Sequence, residues 1–168
     1  MKKIIIIASA LCALVLSSCT LEEKSYTEMS RENYVKDASE AQTVLLGVYR
    51  NMSTEGLYSY HLSLLFTISS DIAQCEGSGN TAFRVIPTNS HTASTPEIAT
   101  TWSSLYSAIY SANNFIETVQ ERMPSWTGAD AELGRIYIAE ARTLRALFNF
   151  ELVRWWGNVV LMKTTADS

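Results

Sequence analysis

Glycine and proline are scarce, with seven and three residues in a chain of 168, about half the share of an ordinary globular protein. So few chain breakers argue against a turn-rich sandwich or barrel and favour long helices. Cysteine is equally sparse. Of the three, Cys12 and Cys19 fall in or beside the amino-terminal hydrophobic run, which leaves Cys75 alone. A disulfide framework and a cysteine-based zinc cage are therefore excluded. Only two histidines are present, His61 and His91, and they are not spaced as metal ligands. The net charge is −4, and no basic cluster suited to a phosphate backbone occurs. Nucleic acid is thus not an expected partner, and neither a metal nor another cofactor is implied.

Hydrophobic residues make up 47% of the chain and charged residues 18%, a balance that excludes intrinsic disorder. The first 18 residues read as a removable export signal. Lys2 and Lys3 supply the positive start, and Ile4 to Leu16 form an apolar stretch too short to span a bilayer stably. Loss of the two lysines takes the net charge from −4 to −6. The remaining chain has the size of one ordinary domain, able to bury roughly 70% of its unfolded surface. Leu16-Ser17-Ser18-Cys19 resembles the lipobox of bacterial lipoproteins, in which the cysteine sulfur receives the diacylglycerol. The competing reading is a plain secretory peptide with an incidental cysteine. Each buried methylene of an acyl chain contributes about 0.8 kcal/mol, so two or three chains hold a protein firmly at a membrane. Thr20 offers no inner-membrane retention signal, and Glu22-Glu23 resembles the surface-export tags of lipoproteins in Bacteroidota-type bacteria.

Residues 19–36 then form a polar lipidated tether, and residues 37–168 a helical domain. A helix is predicted from Asp37 to Met52, with Asp37 or Ser39 as cap. Its apolar positions Ala41, Val44, Leu45, Val48, Tyr49 and Met52 recur at three and four residues. Residues 58–69 carry both strand-like alternation and a helical face of Tyr58, Leu62, Leu65, Phe66 and Ser69. Residues 74–95 read as a loop, broken by Gly77, Gly79, Asn80, Pro87 and Asn89. Thr95-Pro96 predicts a helix start, with a capping hydroxyl before proline, and Pro124 a stop after Met123. The seam of that helix is Trp102, Leu105, Tyr106, Ile109, Asn113, Ile116 and Val119. A last helix is predicted from Ala129 to Trp156, with Gly157 as a left-handed cap. Its stripe is Leu133, Ile136, Tyr137, Ala141, Leu144, Leu147, Phe148 and Leu152. The turn from Ser125 to Gly128 pairs the two long helices as an antiparallel hairpin. The fold class is all-α.

Trp102-x3-Tyr106-x2-Ile109-x3-Asn113, taken with Ala139-Glu140-Ala141-Arg142-x2-Arg145-Ala146-Leu147-x2-Phe150-x-Leu152-Val153-Arg154-x2-Gly157, resembles the amino-terminal helical half of the SusD/RagB family. The resemblance covers the lipobox, the first helix and both long helices, and decides residues 58–69 for helix. It implies tetratricopeptide-like helical hairpins in an outer-membrane, surface-exposed lipoprotein. Such a protein sits as a lid on a SusC-like TonB-dependent transporter and captures oligosaccharides or other nutrients without covalent chemistry. Two departures stand out. Gly157 continues into Asn158-Val159-Val160-Leu161 rather than a proline-containing turn, and members of the family run several times longer. The sequence thus matches only the amino-terminal part, as a fragment, a truncated product or a degenerate copy. Trp155, Trp156, Val159, Val160 and Leu161 are then expected to lack packing partners.

The functional readings compete with plainer ones. Glu140, Arg142, Arg145, Glu151 and Arg154 are expected to be intrahelical pairs or a solvated face. The four tryptophans can stack on sugar rings, but aromatics at helical spacing usually pack in a core; Trp102 is expected there, whereas Trp126 lies in a turn. The loop from Gln74 to Ser94 is the candidate nutrient contact, with Phe83 as a stacking surface and Arg84, Asn89 and His91 as donors. An irregular surface loop is the bland alternative. An enzyme is not expected, since no Gly-x-Ser-x-Gly elbow or His-Glu-x-x-His motif occurs. The remaining alternative is a helical scaffold lipoprotein that holds a protein partner and binds no glycan.

Overall fold

The computed structural model describes residues 34–73 and 82–167. The export signal, Cys19, most of the tether and Cys75 lie outside the described residues. Asp37 opens the first helix, α1 (Ala38–Arg50), from an extended conformation, and its carboxylate accepts the Glu40 N–H. That bond satisfies one of the donors a helix start leaves orphaned. Ser39 lies inside the helix, where its carbonyl accepts the Thr43 hydroxyl. Buried Ala38, Ala41, Leu45 and Val48 form the inner face of α1, while Tyr49 stands largely outside it. A tight turn at Asn51–Ser53 ends the element.

Residues 61–68 form a helix, α2 (His61–Ile68), which buries Leu62, Leu65 and Ile68. The three-residue spacing of that trio outweighs the alternating pattern. A lone strand would leave its backbone donors unpaired, whereas a helix satisfies them within itself. The stretch expected to be loop contains one helical turn, α3 (Ala82–Val85). Phe83 there packs on the cluster of Leu65, Ile68 and Ile86.

The long hairpin is α4 (Pro96–Arg122) against α5 (Gly128–Trp156), and it provides the most extensive packing, followed by α1 on α5. Phe115 and Phe148 are its largest buried side chains. Ala108, Ala112 and Ala141, all fully buried, let the backbones approach closely. At 29 residues α5 is about 43 Å long. Among the described residues there is no strand, and no helix is long and apolar enough to cross a membrane.

Several local expectations are corrected. Thr95 precedes α4, but its hydroxyl accepts the Thr92 N–H at 3.1 Å and makes no bond to the helix start. Proline at the first position removes one donor that would otherwise need such a bond. Pro124 does not stop the chain abruptly; it sits within a tighter helical turn, Met123–Ser125. Gly157 has φ 73° and ψ −119°, a glycine conformation other than the left-handed helical one. Trp102 is 37% exposed whereas Trp126 is 8% exposed, the reverse of the expectation. The Trp126 ring lies flush on Gly134, where an added Cβ would fall 2.9 Å from it. Leu133 and Ile136 are also exposed. The buried stripe of α5 is centred on Tyr137, Ala141, Leu144, Phe148 and Leu152, and Ile136 points about 100° away from Tyr137.

The charged residues of α5 divide. Glu151 and Arg154 pair at 2.5 Å, as their spacing predicts. Glu151 is nevertheless buried, not solvated, and also accepts the Tyr58 hydroxyl at 2.8 Å. Glu140 accepts the Tyr49 hydroxyl at 2.9 Å, joining α1 to α5. Charges that pattern alone assigns to solvent thus tie elements together.

Candidate functional site

The carboxy-terminal end of α5 meets α2, the start of α4 and the loop after α3 around a cleft of about 370 Å³. Leu65 and Ser69 come from α2, Ile98 from α4, and Trp155 and Trp156 from α5; the loop adds Ile86, Asn89, His91, Thr92 and Ala93. None of these side chains is a carboxylate, an ammonium or a guanidinium. The lining is mainly apolar, with hydroxyl, amide and imidazole groups set into it, the composition typical of a small-molecule site.

Adjacent residues on a helix stand about 100° apart, so two neighbouring tryptophans cannot share one contact. Trp155 turns to α2 and meets Phe66 edge-on, with centroids 4.6 Å apart. Trp156 turns to α4 and meets Trp102 at 5.2 Å, and Trp102 in turn lies 5.0 Å from Tyr106. The Arg154 guanidinium stands 3.7 Å from the centroid of Phe66, a cation–π contact. The buried indole N–H of Trp155 makes no hydrogen bond.

The loop wall is held by its own short side chains. Asn89 adopts φ 52°, a left-handed conformation that asparagine tolerates, and its N–H donates to the Ile86 carbonyl. The Thr88 hydroxyl donates to the Arg84 carbonyl and pairs with the Ser90 hydroxyl. The hydroxyls of Thr92 and Ser94 pair at 2.9 Å. These bonds give an irregular segment a defined course.

Behind the cleft, Tyr58 and Glu151 anchor the segment before α2 to α5. Burial and the hydrogen bond to the Glu151 carboxylate push the Tyr58 hydroxyl up to about 12. The bond to Glu140 raises the Tyr49 hydroxyl as well.

Of the four residues expected to contact a nutrient, the structure brings Asn89 and His91 to the cleft. Phe83 and Arg84 are not part of its lining. Phe83 is half-buried against Leu65, Ile68 and Ile86, with Tyr60 edge-on at 6.1 Å, and Arg84 is exposed. The indole pair was missed as the facing wall. Its signal was the run Trp155-Trp156-Gly157 itself, since one stripe cannot bury both rings. Among the described residues no three His, Cys, Asp or Glu side chains come together as a metal site.

The described residues thus form an all-helical scaffold with an indole-walled cleft. The comparisons place it more closely. Residues 20–168 match the SusD-like family described as starch-binding and associating with the outer membrane, and the chain belongs to that family. The crystal structure of a SusD homologue from Bacteroides thetaiotaomicron VPI-5482 is 50% identical, with a TM-score of 0.76. The alignment covers 86% of this chain and 27% of that one, so this chain spans about a quarter of that structure's length. No curated protein matches. The expected family and all-helical fold class stand.

Proposed function

We propose that this chain belongs to a cell-surface lipoprotein that binds a neutral oligosaccharide and delivers it to a SusC-like TonB-dependent outer-membrane transporter. The observation that carries the reading is the cleft of Trp155, Trp156, Asn89 and His91, which bears no carboxylate, ammonium or guanidinium. A sugar presents apolar C–H faces and uncharged hydroxyls. Indoles accommodate the faces, and amide, imidazole and hydroxyl groups accommodate the hydroxyls. A phosphorylated or acidic nutrient would require ammonium or guanidinium groups that this lining lacks. The family's description as starch-binding supports the ligand class, and its association with the outer membrane supports the location. Binding and release alone require no covalent step.

Cys19 is the proposed attachment point for lipid after removal of residues 1–18, with residues 19–36 as a tether to the helical domain at 37–168. Metabolic labelling with a palmitate analogue checks this. Label is expected on the chain and absent after Cys19→Ala; persistent labelling of that variant discards the anchor.

Calorimetric titration with a panel of neutral oligosaccharides, starch fragments among them, tests the cleft. Trp156→Ala and His91→Ala are each expected to weaken binding about tenfold or more, equivalent to about 1.4 kcal/mol. The exposed His91 keeps the test independent of folding. Full affinity in both variants overturns the site. Failure of the parent to bind any glycan, together with capture of a protein partner, favours the scaffold reading instead.

A further inference from the structure

Tyr106, Asn113 and Arg145 belong to the sequence pattern that resembles the family, yet none of them lines the cleft. They converge on the segment that follows α5. The Tyr106 hydroxyl donates to the Val160 carbonyl at 3.0 Å. The Asn113 amide donates to the carbonyls of Met162 at 3.3 Å and Thr164 at 3.2 Å. Arg145 donates from Nη1 to Asn113 Oδ1 and to the Lys163 carbonyl, each at 2.8 Å. Glu117 accepts the Thr165 N–H at 2.8 Å and its hydroxyl at 2.5 Å. All but the last of these bonds to the segment engage its main chain.

The apolar side chains in the middle of the segment contribute little. Val160 is 66% exposed and Leu161 57%. Asn113, by contrast, is fully buried. A buried amide is costly unless its bonding capacity is used. Here both its donor and its acceptor are engaged, by the segment and by Arg145. The dimensions agree as well. From Tyr106 to Glu117 a helix rises about 16 Å, and from Val160 to Thr165 an extended chain covers about 17 Å. Residues 160–165 therefore keep step with one face of α4, running in the same direction as that helix.

We infer that Tyr106, Asn113, Glu117 and Arg145 form a clamp that sets the course of residues 160–165 along α4 chiefly through the main chain of that strap, independently of the Val160 and Leu161 side chains. They are positioning residues, and the inference stands whether or not the cleft binds sugar. Asp167 reinforces the course by accepting the N–H groups of Lys163 and Thr164, each at 2.8 Å. The expectation that this end of the chain lacks packing partners holds for Val160 and Leu161 and is corrected for the two tryptophans. Trp155 and Trp156 pack on Phe66 and Trp102, and the strap is tethered by its backbone although Val160 and Leu161 face outward.

Hydrogen–deuterium exchange on the whole chain, read at the amides of Lys163, Thr164 and Thr165, tests the clamp. Asn113→Ala and Glu117→Ala are each expected to accelerate exchange there by roughly tenfold, with α4 and α5 still protected. Tyr106→Phe, which keeps the ring and removes one bond, should give a smaller acceleration. The double exchange Val160→Ser and Leu161→Ser should leave the rates unchanged. Should Asn113→Ala loosen α4 as a whole, the half-buried Glu117 supplies the local readout. Unchanged exchange in Glu117→Ala overturns the clamp, as does an equal acceleration caused by the serine pair.

Discussion

The middle of the long hairpin and its cleft end are built by different forces. In the middle, Phe115, Phe148, Leu105, Ile109 and Leu144 are buried together with Ala108, Ala112 and Ala141, and Asn113 is the exception in an otherwise apolar set. At the cleft end, the loop and the segment before α2 are held by polar side chains bonded to backbone or to one another, as in Thr88 to Arg84 and Tyr58 to Glu151. The first region draws its stability from buried area, which changes little with pH. The second depends on directed bonds, each worth about 1 kcal/mol net. One end is therefore strong and uniform, while the other is weaker, individually addressable and suited to holding a ligand.

The largest effects should fall in the middle. Phe148→Ala, at a fully buried position, is expected to cost about 3–5 kcal/mol, and Leu144→Ala about 2–5 kcal/mol, by denaturant unfolding. Leu147 is only half-buried, so its truncation should cost less than that of Leu144. A loss under about 1 kcal/mol at both Phe148 and Leu144 would erase the contrast between the two ends.

Tyr58→Phe sharpens the contrast through pH. The hydroxyl holds its proton up to about 12 in the folded chain, against 10.0 for the free side chain. Its contribution is therefore complete below pH 10 and is lost as the pH rises through 12. The variant should lose about 1 kcal/mol at neutral pH, and the gap to the parent should close in strongly alkaline solution. A gap that stays constant from pH 8 to 12 contradicts the bond to Glu151.

The smallest effect belongs to the exposed apolar positions of α5. Ile136→Ser should change stability by no more than about 0.5 kcal/mol, since the side chain is 45% exposed. A loss comparable to that of Leu144→Ala would show that the buried face has been misplaced.

The sequence disclosed the helices because burial against one neighbour imposes a period. Ala41, Leu45 and Val48 on α1, and Leu105, Ile109, Ile116 and Val119 on α4, were readable for that reason, and all are buried. Leu133 and Ile136 misled because apolar character marks a candidate face but not how far a neighbouring helix extends over it. Trp102 and Trp126 exchanged roles because burial in a turn depends on a partner distant in sequence, here Gly134. Half of the proposed cleft contacts were found from loop composition, namely Asn89 and His91. Phe83 went the other way, since α3 turned it toward Leu65 and Ile86. The strap could not be anticipated, because a clamp that grips mainly backbone leaves little signature in the segment it grips.

Three of the four tryptophans, Trp102, Trp155 and Trp156, gather at the cleft, whereas Trp126 is buried against Gly134. The edge-on approach of Trp102 to Trp156 at 5.2 Å, with Tyr106 next in line, couples their electronic transitions. The near-ultraviolet circular dichroism and the intrinsic tryptophan fluorescence are therefore expected to report chiefly on this cluster. Any event that moves the tip of α5 changes the spectrum without a label, and Trp126 supplies a steady internal reference.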